Sequence, residues 1–192
     1  MKEVKVLLFN IDSFKIDESL FSFEDKKKLE QYTNEKTRRE KTLSLYVKRK
    51  YVGEYHVGES GKPLADDKYF NISHKDKYLA FVLDEVPVGV DIEHIKPINE
   101  RLIAFIANDQ EKLYIKDELS FFEIWTNKEA ITKAHGKGIR QMVETIPSLP
   151  LNSGHTFDNK LYYNRTVQFQ DYVITVSREK DENYLLILEE VK

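Results

Sequence analysis

The spacing of apolar positions divides the chain into segments with strand-like and helix-like patterns. The strand-like segments, with alternating or continuous apolar residues, are 2–9, 69–72, 79–83, 86–92, 155–161, 166–178 and 184–191. The helix-like segments, with apolar residues three and four apart, lie within 25–55 and at 101–106, 110–116 and 120–135. A polar turn at 179–182 predicts that the carboxyl end forms an antiparallel hairpin or meander. This order predicts mixed α and β structure.

Composition and charge exclude several classes of protein. The chain has 192 residues and 41% hydrophobic content, enough for one large domain or two small ones. A formal net charge of -3 argues against a general nucleic-acid binder, because there is no overall basic excess to neutralise phosphates. Cysteine is absent, which excludes disulfides and thiol catalysis. No stretch approaches the roughly 20 apolar residues of a membrane-spanning helix. We therefore expect a cytoplasmic protein that binds neither membrane nor nucleic acid.

Three carboxylates are the strongest candidates for chemistry. Asp91 and Glu93 lie two residues apart on a predicted strand, so their side chains share one face. Glu129 lies on the predicted helix that ends before Gly136. Together they would form an all-oxygen site of the kind that Mg²⁺ prefers. Each feature also has an interpretation without function. Carboxylates at such strand positions are usually solvated surface residues. Glu129 and Lys133, four residues apart on a helix, could be an ordinary exposed ion pair.

A second group of residues precedes the carboxylates. Lys62 lies in the short segment Gly61-Lys62-Pro63, and Ser73 and His74 end the segment Phe70-Asn71-Ile72-Ser73-His74. Serine and histidine at the end of a strand are common in turns. They are equally suited to donate hydrogen bonds to a phosphate, with a protonated imidazole adding positive charge. The residues alone leave both interpretations open.

These segments, taken in order, resemble the motifs of the 4'-phosphopantetheinyl transferases of the type that activates surfactin synthetase. The resemblance runs over residues 38–140 and rests on four motifs: Gly61-Lys62-Pro63, Phe70-Asn71-Ile72-Ser73-His74, Gly89-Val90-Asp91-Ile92-Glu93 with Lys96-Pro97, and Trp125-Thr126-Asn127-Lys128-Glu129-Ala130 with Lys133 and Gly136-Lys137-Gly138. The last two are the most specific. The resemblance implies an α+β fold built as a pseudo-dimer of two similar halves, each a small antiparallel sheet with a packed helix. The corresponding division is 1–88 and 89–192, with the active site between the halves and the metal site in the second.

The resemblance also implies an activity and a set of site residues. Such enzymes transfer the 4'-phosphopantetheine arm of coenzyme A to a serine of an apo carrier protein, acyl or peptidyl, and release adenosine 3',5'-bisphosphate. The residues that would bind Mg²⁺ are Asp91, Glu93 and Glu129. The residues that would hold coenzyme A are Lys62, Ser73, His74 and Lys133, with Thr42 and Arg38 near the adenosine 3'-phosphate.

The general base is implied less directly. The family has a glutamate in the helical region before the tryptophan motif, and Glu111 is its match in Ile106-Ala107-Asn108-Asp109-Gln110-Glu111. The aromatics and serine that accompany that glutamate in the family are missing here, so Asp109 and a metal-bound water are alternatives. A second departure is Lys75, where many members have a small polar residue. It is either a further phosphate ligand or a solvated side chain.

The partners follow from the same resemblance. The basic segment 36–50 is suited to meet an acidic carrier protein, although it is also typical of a solvated helix face or of a nucleotide contact. A pseudo-dimeric architecture predicts a monomer. Two other classes of function stay open: a protein that binds coenzyme A or a carrier without catalysis, and an interaction module whose charges are surface only.

Overall fold

The computed structural model describes residues 1–57, 63–65, 68–136, 143–180 and 182–192. The strands are β1 (Lys2–Asn10), β2 (His56–Val57), β3 (Pro63–Leu64), β4 (Tyr69–Lys75), β5 (Tyr78–Asp84), β6 (Val88–His94), β7 (Gly154–Phe157), β8 (Lys160–Phe169), β9 (Tyr172–Arg178) and β10 (Tyr184–Val191). The α-helices are α1 (Phe23–Glu30), α2 (Glu35–Val47), α3 (Glu100–Ile106), α4 (Asp109–Tyr114) and α5 (Glu118–His135). A π-helical turn, Lys48–Val52, continues α2, and short 3₁₀ turns lie at Glu18–Leu20 and Val143–Thr145.

The first sheet joins the two ends of the described chain. Its strand order is β10-β1-β5-β4, with β1 antiparallel to β5, and β5 antiparallel to β4. β10 pairs with β1 in parallel, with Lys2 opposite Tyr184. The predicted hairpin at 179–182 is therefore wrong, because the chain crosses there from one sheet to the other. Sequence pattern identified the strand but not its partner.

The second sheet is an antiparallel meander with strand order β6-β9-β8-β7. Asp158 and Asn159 both have positive φ, 49° and 59°, and form the two-residue connection between β7 and β8. Gln170, with φ of 53°, lies in the connection between β8 and β9. Asparagine and aspartate tolerate this conformation better than most residues, which suits them to tight hairpins. An antiparallel meander is present as expected, but its two turns lie inside 155–161 and 166–178, which the sequence pattern presents as single strands.

The two sheets pack face to face, and helices cover their outer faces. Alternate residues of β1, β5, β6 and β9 fill the core between the sheets: Val4, Val6, Leu8, Ala80, Val82, Val88, Val90, Ile92, Ile174 and Val176. The outer face of the first sheet packs against α1 and α2 through a second core that includes Phe9, Leu43, Val47, Phe70 and Phe81. α5 covers the outer face of the second sheet. Strand alternation thus supplies both faces of each sheet with apolar side chains.

The helical region before β2 contains a break that the apolar spacing did not reveal. α1 begins with a capping box at Ser22 and Asp25, and α2 begins at Asn34, whose side chain accepts a hydrogen bond from Thr37 N. Asparagine is among the preferred residues at this position, so its presence is the sequence signal for a new helix. Further along the chain, Gly136 caps α5 with φ of 93°, as predicted.

The mixed α and β architecture expected from the sequence is confirmed. Each four-stranded sheet has a helix on its outer face, whereas equivalence of the two halves and their division at 1–88 and 89–192 stay predictions. β10 lies in the first sheet although its residues fall in the second half. In the described part of the chain, no helix has the length and apolar character needed to span a membrane.

Candidate active site

The candidate site lies where an edge of the first sheet meets an edge of the second. β4 and β6 are the edge strands, and they are joined by a hydrogen bond of 2.9 Å from Val90 N to Asn71 Oδ1. Asn71 and Ser73 point to one side of β4, and Phe70 and Ile72 point to the other, into the core beneath α2. The seam between β4 and β6 therefore has polar side chains at its rim.

α5 crosses directly over β6 at Gly89. A β-carbon built on Gly89 would lie 2.2 Å from Ala130 O and 2.4 Å from Ala134 N, so no other residue fits without moving the helix. Because side chains two apart on a strand share a face, Asp91 and Glu93 point to the same side as Gly89, toward α5. This close approach brings Glu129 and Lys133 of α5 over the two strand carboxylates.

A buried polar network fixes the rotation of α5. The Thr126 and Thr175 hydroxyls lie 2.7 Å apart, and Asn127 donates to Thr166 Oγ1 at 2.7 Å and accepts from Asn164 Nδ2 at 2.8 Å. Thr126, Asn127, Thr175 and Asn164 are all fully buried. Since these side chains must find partners inside the protein, they hold one face of α5 against the second sheet. Glu129 and Lys133 are thereby turned toward the seam. The sequence signal was the polar pair Thr126-Asn127, which directly follows the aromatic and aliphatic residues of α5.

Asp91 is the centre of a compact charge cluster. Its Oδ1 accepts from Lys133 Nζ at 2.5 Å and from Ser73 Oγ at 3.0 Å, and Lys133 Nζ lies 3.0 Å from Ser73 Oγ. Asp91 is 3% exposed, and its Oδ2 has no hydrogen-bond partner among the described residues. An unpartnered, buried carboxylate oxygen is costly, so this atom is suited to take a cation or a donor from a ligand.

Glu93 has partners from two further elements. Lys75 Nζ, from β4, lies 2.6 Å from Glu93 Oε2, and the Trp125 indole donates to Glu93 Oε1 at 3.4 Å. Trp125 packs against the core beneath α5, and its indole also contacts a predicted metal ligand. The sequence is compatible with Lys75 as a phosphate ligand or as a solvated side chain. The structure instead pairs it with Glu93.

Glu129 completes the group from α5. Burial raises the pKa of Glu129 to about 7, and the negative charges of Asp91 and Glu93 act in the same direction against the positive charge of Lys133. Its carboxylate has no hydrogen bond or ion pair with any residue that the structure describes. A buried Glu129 carboxylate beside two other carboxylates is favoured in its ionised form by a cation placed next to it.

The three carboxylates fit a hard divalent cation in chemistry, although not as a preformed cage. Among the described residues, no three carboxylate or imidazole side chains are grouped closely enough to hold a metal ion. The reason is visible in the ion pairs, because Lys133 engages Asp91 and Lys75 engages Glu93. The unpartnered Asp91 Oδ2 and the raised pKa of Glu129 both favour the arrival of positive charge. Oxygen donors of this kind are those that Mg²⁺ takes.

The predicted coenzyme A residues are divided between the seam and the α2 side of β4. Ser73 lies in the seam, whereas His74 points to the other face, half-exposed, with Nε2 3.5 Å from Glu40 Oε2. Thr42 is buried, and its hydroxyl donates to Arg38 O at 2.7 Å, while the Arg38 side chain is exposed. No contact joins Thr42 or Arg38 to the Asp91 cluster in the described chain. Lys62 lies outside the described residues.

The two candidate general bases lie in different surroundings, and neither contacts the Asp91 cluster. Glu111 is 1% exposed, accepts from Asn108 N at 2.8 Å and Ser148 Oγ at 2.6 Å, and pairs with Lys128 Nζ at 2.7 Å. Asp109 is fully exposed and lies 3.1 Å from Lys112 Nζ. Lys128, to which the sequence assigned no chemistry, is completely buried. The assignment of the base stays a prediction.

Part of the basic segment is structural. Arg49 pairs with Asp25 at 2.9 Å, and the Arg39 guanidinium donates to Ile11 O at 2.7 Å and to Phe14 O. These two side chains fasten α2 to α1 and to the chain after β1. Burial lowers the pKa of Lys48, and the neighbouring cations Lys41 and Arg49 act in the same direction. The cations left to meet a ligand or partner are fewer than the sequence count indicates.

The decisive comparison is with protein families. A model described as the 4'-phosphopantetheinyl transferase superfamily matches residues 87–182, half of the chain. The chain belongs to this superfamily. The matched region contains β6 and α5, and so includes all three candidate metal ligands and Lys133.

Individual relatives agree with this assignment. The chain is 31% identical to 4'-phosphopantetheinyl transferase gsp of Aneurinibacillus migulanus over 148 residues, 65% of this chain and 62% of the relative. It is 37% identical to psf-1 of Bacillus pumilus over 89 residues, 42% of this chain and 38% of the relative. It is 33% identical to Sfp of Bacillus subtilis over 108 residues, 52% of this chain and 45% of the relative. The chain thus spans less than two thirds of the length of each of these relatives.

Proposed function

We propose that this protein transfers the 4'-phosphopantetheine arm of coenzyme A to a serine of an apo carrier protein and releases adenosine 3',5'-bisphosphate. The proposal is supported above all by the convergence at the seam of acidic residues from β6 and α5 with Ser73 and Lys133. Membership of the superfamily and the names of its relatives support the reaction class.

The residues of the seam suit the handling of a diphosphate. In the reaction, the carrier serine oxygen forms a bond to the phosphorus that bears pantetheine, and the bond from that phosphorus to the bridging oxygen breaks. Lys133 and Ser73 supply donors within 3.0 Å of each other, close enough to bind neighbouring phosphate oxygens. In phosphoryl transfer the protein supplies mainly position and positive charge, and this cluster offers both.

The same proposal assigns Mg²⁺ to the carboxylates Asp91, Glu93 and Glu129. A bound divalent ion would neutralise charge on the diphosphate oxygens and ease departure of the leaving group. The support is the hard oxygen donor set together with the unpartnered Asp91 Oδ2. His74 and Lys62 extend the phosphate contacts in this proposal, and Thr42 and Arg38 lie toward the adenosine end.

The serine proton requires an acceptor, for which Glu111, Asp109 and a metal-bound water remain the proposed alternatives. The Glu111 carboxylate is held by three internal donors, which argues for a structural contribution. Asp109 is exposed, and its contact with Lys112 leaves it accessible. An apo acyl or peptidyl carrier protein as partner, a monomeric state and a cytoplasmic location stay predictions.

The test is intact-mass spectrometry of an apo carrier protein incubated with the protein, coenzyme A and Mg²⁺. We expect the carrier to gain one phosphopantetheine arm, and EDTA to abolish the gain. A fatty-acid carrier and a peptidyl carrier are tested in parallel. If neither carrier gains mass under conditions where an established transferase modifies both, the proposed activity is contradicted.

One observation favours a second function, the binding of coenzyme A or a carrier without catalysis. Lys75 and Lys133 each pair with one of the carboxylates that a metal would need. Equilibrium binding of coenzyme A without any transfer to either carrier is the result that would support this alternative.

A further inference from the structure

Lys75 is placed to act on the candidate metal site. It follows Ser73 by two residues on β4, so both side chains point into the seam. Its Nζ lies 2.6 Å from Glu93 Oε2, and the two side chains are 25% and 18% exposed. At this separation the ammonium occupies lone pairs of Glu93 that a metal ion would otherwise use.

The neighbouring lysine provides a contrast. Lys77 lies in the turn that follows β4, exposed, with Nζ 5.2 Å from the centre of the Tyr78 ring. No carboxylate pairs with Lys77 within the described parts of the chain. A charge at Lys77 is therefore close in sequence to Lys75 but does not engage Glu93.

The consequence for a divalent ion follows from charge. Lys75 and Lys133 each pair with one strand carboxylate, and within the described part of the chain no side chain is hydrogen-bonded to the second oxygen of Asp91 or ion-paired with Glu129. A metal ion that binds to Glu93 must displace the Lys75 ammonium or lie beside it, and like charges at such separations repel. The negative diphosphate of coenzyme A offers the displaced ammonium a new partner.

We propose that Lys75 is an internal counter-ion of Glu93 that competes with the divalent ion, weakens metal binding in the free protein and makes it depend on coenzyme A. This inference rests on the proposed function, because it assigns a role to Lys75 within the same site. It makes Lys75 a positioning residue, since it acts through Glu93.

The test measures the affinity of Mn²⁺, a paramagnetic substitute for Mg²⁺, by electron paramagnetic resonance in free and coenzyme A-saturated protein. Lys75→Gln should bind Mn²⁺ about tenfold more tightly than the original chain when free, because one positive charge near the ion is removed. Lys75→Arg, which keeps the charge, and Lys77→Gln, the matched control, should stay within about twofold of the original affinity. Saturating coenzyme A should tighten Mn²⁺ binding more in the original chain than in Lys75→Gln.

Two results would overturn the inference. One is equal or weaker Mn²⁺ affinity in free Lys75→Gln, with unchanged circular dichroism to show that it is folded. The other is a gain of the same size in Lys77→Gln, which would reveal a general charge effect. Weaker coenzyme A binding in Lys75→Gln without any change in Mn²⁺ affinity would make Lys75 a phosphate ligand instead.

The carrier-modification assay separates this inference from the function on which it rests. If the original chain transfers the arm while Mn²⁺ affinity is the same with and without Lys75, the counter-ion role fails and the transferase stands. If Lys75→Gln binds Mn²⁺ more tightly while the original chain transfers nothing to either carrier, the counter-ion role holds and the proposed activity fails.

Discussion

The buried pair between Glu111 and Lys128 gives a prediction that separates stability from catalysis. Lys128 is fully buried and donates to Glu111 Oε2 at 2.7 Å and to the carbonyl oxygens of Ile106 and Val143 at 2.9 and 3.0 Å. Burial lowers the pKa of Lys128, while the Glu111 carboxylate favours its charged form. Glu111→Gln removes the carboxylate that pairs with this ammonium and leaves only the weaker contribution of the Glu144 charge among the described residues.

The expected cost follows from what each single substitution leaves behind. Glu111→Gln leaves a buried ammonium with two carbonyl acceptors and without its ion-pair partner. Lys128→Met leaves a buried carboxylate with two donors, Asn108 N and Ser148 Oγ. Removing one partner of a buried ion pair costs about 3–5 kcal/mol in the free energy of unfolding. The double variant should lose less than the sum of the two singles, because neither charge is then left alone.

Urea denaturation followed by circular dichroism measures these free energies, and the carrier-modification assay measures turnover of the folded fraction. We expect a large fall in the urea midpoint for each single variant, with turnover per folded molecule largely kept. Glu111→Gln with a stability loss below about 1 kcal/mol and no turnover would refute this reasoning, since an intact buried pair should cost more. That result would make Glu111 the general base.

Three further predictions concern the site and its support. Gly89→Ala should lower the midpoint of thermal unfolding and abolish metal-dependent transfer, because the new β-carbon would lie 2.2 Å from Ala130 O. A midpoint within about a degree of the original would show instead that α5 is free to move. Ser73→Ala should raise the KM for coenzyme A severalfold and change the KM for the carrier little, because one hydrogen-bond donor beside Lys133 is lost. Initial rates measure both constants, and equal changes in the two would argue against a phosphate contact by Ser73. Burial lowers the pKa of His155 below its ordinary value, so the unfolded chain takes up a proton first and stability should fall as pH drops below about 6.5. His155→Gln should reduce the difference in urea midpoint between about pH 7.5 and about pH 5.5, and an unchanged difference would assign that pH dependence to other groups.

The sequence was most informative where local pattern and chemistry coincide. The i, i+2 spacing of Asp91 and Glu93 placed both on one face of a strand, and helical periodicity with Gly136 defined the end of α5. These two elements meet because Gly89 lacks a side chain, and the motif contains that glycine. The family resemblance rested on four motifs in order, and the superfamily match over residues 87–182, which contains the last two of them, confirmed the family.

Long-range pairing could not be predicted from the same patterns. β10 has the alternation of a strand, but nothing local distinguishes an antiparallel neighbour in the second sheet from a parallel neighbour in the first. Lys75 is similar, because its partner Glu93 lies on another sheet, and a lysine at a strand end is usually solvated. From the sequence alone, Lys128 would be placed on the surface, because lysine is rarely fully buried. Lys128 is buried because it pairs with Glu111, which lies on another helix, α4, and is distant in sequence.

The most direct test of the central claim is transfer by Glu129→Gln, measured as carrier modification by intact-mass spectrometry over a range of Mg²⁺ concentrations. Glu118→Gln, on the first turn of the same helix and away from the seam, is the matched control. If the seam is the active site, Glu129→Gln should be folded but should lose most turnover at low Mg²⁺, because a neutral amide is a poor ligand for this ion. Glu118→Gln should transfer the arm normally. Normal transfer by Glu129→Gln at low Mg²⁺ would contradict the assignment of the seam as the metal-dependent transferase site.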